Sequence, residues 1–287
     1  MCFENASDRS EKREDVDGRM RKRGSIMAKK DTNKAMLNGR RLYGDFCPED
    51  WRAAFSVPKN MIPSSIIAHG EYEPTKNLAW WNEILGPDTI NPEWNIVVGE
   101  YKQDTLAFTN VLGGPAAAMA IHPFAAMGTE KIIQTGYFGG LSKELEYGQI
   151  LVVSEVIASC GTATQYCNSR KKLTADPSLV NAATEYCSRR GWRYRVGSVR
   201  STDAIYLEDR ELVREWLDSP ELGVDMECSA TFSIAQKFNK SVVGLLNLSD
   251  HLIRGDHLMN YREERLKTEA STDKKIRELA LYLASEV

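Results

Sequence analysis

The sequence predicts an α/β protein whose sheet carries helices on both faces. Two observations carry this. Apolar runs of strand length alternate along the chain with segments of helical length, the pattern that builds such sheets. The chain has 287 residues, 42% hydrophobic and 27% charged, enough to bury a sizeable core in one large domain.

The elements follow in order. Residues 1–34 are dense in charge and poor in apolar side chains, and include the run Arg19-Met20-Arg21-Lys22-Arg23. Such a segment buries too little surface to offset its ordering entropy, so a flexible tail is expected, with Met27 as an alternative start. Residues 35–287 are expected to form a single domain. From Leu42 to Asn95 the chain is rich in Trp and Pro. Within it Ser65 to Gly70 reads as a buried strand ending at a glycine turn. Trp94 to Tyr101 and Thr105 to Leu112 read as strands. Gly113-Gly114-Pro115 breaks the pattern, and Ala116 to Met127 reads as a helix of small residues. Strands follow at Lys131 to Thr135 and Gln149 to Ala158. A helix spans Asp176 to Arg190, with Pro177 in the first turn, where proline is tolerated. Trp192 to Val199 is a strand, Leu207 to Leu217 a helix, Gly223 to Met226 a short strand and Cys228 to Phe238 a helix. Val242 to Leu248 is a strand, and Asn260 to Glu286 a long helix.

Composition narrows the function. Lys and Arg number 37 against 40 Asp and Glu, a formal charge of −3, which argues against a nucleic-acid binder in the core. Six cysteines stand without a C-x-x-C pair, so reduced thiols in a cytoplasmic protein are expected. Four histidines without an H-x-x-x-H pair argue against a zinc hydrolase, and no metal is expected. No apolar run reaches the ~20 residues of a membrane span, and the N-terminus lacks a signal-peptide core.

Four strand ends carry chemistry, since ligands of such sheets bind there. In Leu112-Gly113-Gly114-Pro115 a strand runs into a helix start, whose N–H groups attract anions. In Gln134-Thr135-Gly136-Tyr137-Phe138-Gly139-Gly140 glycines allow close approach to the backbone, or mark a bulge. In Asp225-Met226-Glu227-Cys228-Ser229-Ala230 a carboxylate is placed to accept from two sugar hydroxyls, beside a soft apolar Met; helix capping is the alternative. In Leu248-Ser249-Asp250 an apolar strand ends at an acid that burial would equip to donate a proton; an N-cap is again the alternative.

In order and spacing these segments, with Ser201-Thr202-Asp203-Ala204-Ile205-Tyr206 and the turn Gly148-Gln149-Ile150, resemble the nucleoside phosphorylase and nucleosidase superfamily. That group includes purine nucleoside phosphorylase, uridine phosphorylase and methylthioadenosine nucleosidase. The resemblance runs from Pro63 to the C-terminus. It implies a three-layer fold with a central mixed, twisted sheet flanked by helices. It further implies cleavage of a nucleoside N-glycosidic bond, purine favoured, in a homo-oligomer without a cofactor, inorganic phosphate being a co-substrate. By position Glu227 and Asp250 are the catalytic candidates. Glu227 would hold the ribose hydroxyls and Met226 pack against the sugar. Phe138, Gly139, Arg200, Ser249 and Asp250 would meet the base. Gly70, Gly113, Gln134 and Tyr137 would border the phosphate or water.

The departures from the family pattern bear on the acceptor. A phosphate-gripping arginine is replaced by Gln134, and a small hydroxyl residue by Tyr137. Beyond Gly70, Lys76 is the nearest basic residue. Without arginine forks a dianion is held poorly. Glu71 or Glu73 would serve a hydrolytic nucleosidase, so phosphorolysis and hydrolysis both stand, as does a catalytically weak nucleoside-binding protein. Arg200 takes the place of a stacking aromatic ring. It would stack on the base, grip a substrate phosphate, or sit at the surface.

Overall fold

The computed structural model describes residues 41–92, 95–167, 171–260 and 262–287. The expected tail, Met27 and Trp94 lie outside them. The chain divides into two units, Met1–Phe46 and Cys47–Val287. The described part of the first holds a 3-10 turn, Tyr43–Asp45.

The second unit contains nine described strands: β1 (Ser65–Gly70), β2 (Ile96–Tyr101), β3 (Asp104–Val111), β4 (Lys131–Gly140), β5 (Ile150–Ile157), β6 (Lys172–Thr174), β7 (Tyr194–Ser201), β8 (Gly223–Asp225) and β9 (Ser241–Asp250). Its helices are α1 (Pro48–Ala54), α2 (Thr75–Ile84), α3 (Gly113–Met127), α4 (Gly161–Tyr166), α5 (Pro177–Arg189), α6 (Arg210–Leu217), α7 (Cys228–Phe238) and α8 (Glu263–Glu286). The mixed sheet flanked by helices is as predicted. Of the elements not foreseen, α1 and α2 fall in the Trp-rich segment, while α4 and β6 are too short to show a period.

The strand order is β2-β3-β1-β4-β8-β7-β5-β6, with β9 inserted between β4 and β5. β1 pairs in parallel with β3 and β4. Along one edge β4 has two partners. Lys131 to Phe138 run parallel to β9, and Gly139 and Gly140 turn to β8 in antiparallel register. Since β8 pairs with β7, β7 with β5 and β5 with β9, five strands close a ring that the sequence pattern does not announce.

The register of β4 against β9 shifts where Phe138 faces Leu248 and Gly139 faces Asp250. Ser249 is the extra residue. Such a bulge bends the strand and re-aims the next side chain, here Asp250. The expected glycine loop after Thr135 is therefore strand. Gly136 has φ +146°, and a Cβ on it would lie 3.1 Å from the backbone of Gly70. The close approach it permits is that of β1, not of a ligand.

The apolar faces of the helices seal the sheet. Trp81 of α2 is buried and stacks on Phe108, with centroids 4.6 Å apart. Trp80 meets it edge-on. These two tryptophans thus buttress β3. α5 starts where Asp176 accepts from the Ser178 N–H at 2.8 Å and Pro177 opens the first turn, a strong start signal. α7 is buried along Cys228 to Ala235, and α8 contributes Ile276, Leu279, Ala280 and Leu283 to the core.

Candidate active site

A cleft of about 210 Å³ lies over the ends of β1, β4, β8 and β9. It brings together Gly70, Tyr137, Phe138, Gly139, Met226, Glu227, Ser249 and Asp250 from the sequence-predicted set.

Asp225 and Glu227 flank Met226 but are held differently. Asp225 Oδ1 accepts from Ser201 Oγ at 2.5 Å, and Oδ2 accepts from the N–H groups of Cys228 at 2.7 Å and Glu227 at 3.3 Å. Asp225 is thus the acid that caps α7. Glu227 occupies the N-cap position without a side-chain cap bond. Its Oε1 accepts from the Gly113 N–H at 2.6 Å, and its Oε2 faces Gly70, where a Cβ would lie 2.5 Å from it. Glycine at 70 makes room for the carboxyl. Both acids are buried, which raises their pKa values. The Asp225 charge adds to this for Glu227, whose pKa rises to about 8. With three donors on Asp225, the ionised form resides there and the proton on Glu227.

Asp250 ends β9, and no helix starts from it. Ser249 Oγ lies 2.6 Å from Asp250 Oδ1 and 3.2 Å from the Phe138 carbonyl oxygen. Burial raises the Asp250 pKa; the Ser249 bond and the Arg265 charge oppose the shift. The raised pKa favours the protonated form of this acid.

Tyr137 lines the cleft and donates to Asp273 at 2.8 Å. Asn247 Nδ2 donates to the same carboxylate at 2.7 Å. Burial and the nearby acids Asp273 and Glu71 push the tyrosine hydroxyl far up, so it stays protonated.

Three expectations take a different form. Gln134 does not reach the cleft. It is fully buried, accepts from Thr231 Oγ1 at 2.6 Å and donates to the Thr135 carbonyl at 2.9 Å. Tyr137, three residues on, points to the opposite face of β4, as strand alternation requires. Arg200 also lies outside the cleft lining. Its guanidinium sits 5.6 Å from the Trp216 ring centroid and 3.5 Å from Glu221. Its neighbour Ser201 points to the other face of β7, where its hydroxyl donates to Asp225 at 2.5 Å. Gly113 contributes its N–H to Glu227 rather than a wall of the cleft. Of the acceptor candidates beyond Gly70, Glu71 lines the cleft, Glu73 bonds Thr75 at 2.7 Å, and Lys76 is exposed on α2.

The sequence reading missed Glu208, Leu258 and Glu269, which line the cleft from loops and α8. No motif marks them: Glu208 and Leu258 arrive from loops, and Glu269 sits on the predicted long helix with nothing in its spacing to single it out. With Glu71, Asp225, Glu227 and Asp250 they make the lining rich in carboxyl groups. No Lys, Arg or His joins them among the described residues.

Residues 70–284 match the family model of the phosphorylase superfamily. A DeoD-type purine nucleoside phosphorylase of Clostridium beijerinckii is 28% identical over 218 residues, 74% of this chain and 91% of that protein. A guanosine phosphorylase of Halorubrum lacusprofundi is 25% identical over 167 residues, 58% of this chain and 69% of that protein. The crystal structure of uridine phosphorylase from Vibrio fischeri superposes with a TM-score of 0.70 at 21% identity, covering 81% of this chain and 96% of that one, a likeness of fold. The extent of the family match, from the glycine that faces Glu227 nearly to the end of α8, places this chain in the phosphorylase superfamily.

Proposed function

We propose that the protein cleaves the N-glycosidic bond of a purine nucleoside, with phosphate as the ribosyl acceptor, as in the phosphorylases of its superfamily. One observation carries this reading. Glu227 and Asp250, 23 positions apart in the sequence, open onto one cleft, Glu227 with an oxygen that faces Gly70 and Asp250 with an oxygen beyond the one that Ser249 meets. In such a cleavage positive charge develops on the sugar and negative charge on the departing base. Glu227 accepts the ribose hydroxyls, and Met226 covers the sugar. Asp250 delivers its proton to the base, which favours purine, whose N7 can receive it. Proton donation of this kind contributes ~100–10,000-fold. A second subunit completing an oligomer belongs to the same reading.

Water as acceptor is favoured by one feature, the carboxyl-rich lining without a described cation. A phosphate dianion is repelled there, and Glu71 stands at the cleft beside Gly70 as a base for water. Chromatography of free base released from inosine, guanosine, adenosine and uridine, with and without phosphate, separates the two. Release only with phosphate establishes phosphorolysis, and phosphate-independent release establishes hydrolysis. Release from uridine alone removes the purine assignment.

A further inference from the structure

Glu227, whose Oε2 faces Gly70, marks the sugar end of the cleft. Gly70 in turn abuts Gly136, since a Cβ on Gly136 would lie 3.1 Å from the Gly70 backbone. Tyr137 therefore enters the cleft beside the sugar, where a ribosyl acceptor must approach. Its ring meets His69 edge-on, with centroids 5.7 Å apart, and its hydroxyl donates to Asp273 at 2.8 Å. Asp273 stands on α8 and is not part of the cleft lining. Asn247, which faces Tyr137 across β4 and β9, donates to the other Asp273 oxygen at 2.7 Å. Burial raises the Asp273 pKa, while these two donors and the Arg277 charge oppose the rise. With a donor on each oxygen, the geometry fits the carboxylate. Burial and the nearby acids keep the Tyr137 hydroxyl protonated. A phenol has one proton to donate. Tyr137 commits it to Asp273, so toward the cleft its oxygen can only accept. The Glu71 carboxylate is held at the same end, where it accepts from the N–H groups of Tyr72 at 2.7 Å and Glu73 at 3.2 Å.

We propose that Asp273 is a positioning residue that biases the choice of ribosyl acceptor: by taking the Tyr137 proton it presents the phenol oxygen to the cleft as a hydrogen-bond acceptor, which weakens the hold on a phosphate dianion relative to water. This rests on the glycosidic-cleavage reading of the same cleft. A phosphate dianion offers mostly acceptor oxygens and is held by donors, whereas water brings its own hydrogens. Where phosphate is the acceptor, the device shows as a high KM for phosphate. Asp273→Asn reverses the polarity. The new amide keeps its oxygen on Asn247, whose Nδ2 requires an acceptor, and its NH2 group then faces Tyr137 Oη and donates to it. The phenol proton is left to turn toward the cleft, where it can meet an oxyanion.

The test follows base release from inosine and guanosine at varied phosphate in the wild type, Asp273→Asn, Tyr137→Phe and the double variant. The constant read is the KM for phosphate where release depends on phosphate, and the inhibition constant of phosphate where it does not. Asp273→Asn is expected to lower that constant by roughly 10–100-fold, the size of a hydrogen bond to a charged group. The nucleoside KM should stay within about threefold, the range of a change that touches no nucleoside contact. Misfolding does not tighten binding, so a gain of this kind separates positioning from a merely structural role. In the double variant the phosphate constant should return to that of Tyr137→Phe alone, because the hydroxyl that Asp273 turns is gone. A gain that survives in the double variant reports removal of a charge and overturns the proposal. A phosphate constant unchanged or raised in Asp273→Asn overturns the role of Asp273 while leaving the proposed function in place. If Asp273→Asn does not fold, Tyr137→Phe carries the test. Loss of an acceptor oxygen should lower its phosphate constant by roughly 2–10-fold, and no change or a rise overturns the proposal. Release that does not depend on phosphate refutes phosphate as the acceptor, and the role of Asp273 stands if the inhibition constants move as stated. Absence of base release from both nucleosides overturns the cleavage reading and this proposal with it.

Discussion

A Cβ placed on Gly70 would lie 2.5 Å from Oε2 of Glu227, so the end of the first core strand and the start of α7 are packed to leave space for one carboxyl group and nothing more. Gly70→Ala must displace that carboxyl. A misplacement of about 1 Å at a reacting centre costs on the order of 100-fold, and kcat/KM is expected to fall by that amount. Circular dichroism should show the fold retained, since the displaced atoms belong to a side chain.

Removing the group itself reads out its partner. Glu227→Ala is expected to lower kcat/KM for ribonucleosides by roughly 5–150-fold, the equivalent of about 1–3 kcal/mol for two hydrogen bonds to a neutral carboxyl group at about 0.5–1.5 kcal/mol each. The loss for 2′-deoxynucleosides should be clearly smaller, because one of the two hydroxyls is already missing. Equal losses for both sugars would remove Glu227 from hydroxyl binding.

The same residue sets a pH dependence of stability. The Glu227 pKa is raised from 4.5 to about 8 in the folded protein, so across that window the folded state binds more protons than the unfolded chain. Stability therefore falls as pH rises from 4.5 to about 8. Glu227→Gln keeps an acceptor for the Gly113 N–H and abolishes the titration. Its melting temperature should exceed the wild type near pH 8 by roughly 2–4 °C for each kcal/mol relieved in a domain of this size. Below pH 4.5 the difference should vanish. Thermal scans at pH 4, 6 and 8 check both the sign and the window.

Asp250→Asn should lower kcat on purine nucleosides by about 100–10,000-fold, or about 3–5 kcal/mol of barrier. A 4-nitrophenyl riboside, whose leaving group departs without a proton, should lose far less. Burial raises the Asp250 pKa, so wild-type turnover is expected to fall toward alkaline pH as the proton is lost, and the Asn variant should lack this limb. A pH–rate profile on the two substrates decides.

Tyr137→Phe removes one of the two side-chain donors on Asp273. The expected cost is about 1–2 kcal/mol in stability, measured by denaturant unfolding. Nucleoside affinity should change little, because the ring remains in the lining. A large loss of affinity with unchanged stability would assign the hydroxyl to the ligand instead.

The chain's own pattern reached far into this site. The segment from Asp225 to Ala230 and the strand ending at Ser249-Asp250 are local, and their chemistry follows from a few adjacent residues. The helix over Cys228 to Phe238 could be read from small and apolar residues that pack on a sheet. Their alternative reading as caps was resolved within one turn: Asp225 caps the helix, and Glu227, two residues on, remains for the cleft.

What spacing along the chain could not reveal is the direction of a side chain whose strand neighbours were placed by distant segments. Gln134 and Arg200 stand at the right positions in order, yet alternation on β4 and β7 turns them to Thr231 and Trp216. The bulge at Ser249 and the closure of the ring through β8 depend on pairing between segments far apart. So does the arrival of Glu208, Leu258 and Glu269 at the cleft. The sequence by itself determined the α/β alternation and the superfamily, because these reside in local hydrophobic period and short motifs. Only the tertiary structure decided which acids face one another and that no described cation lines the cleft, because long-range strand register, not local sequence, sets where each side chain points.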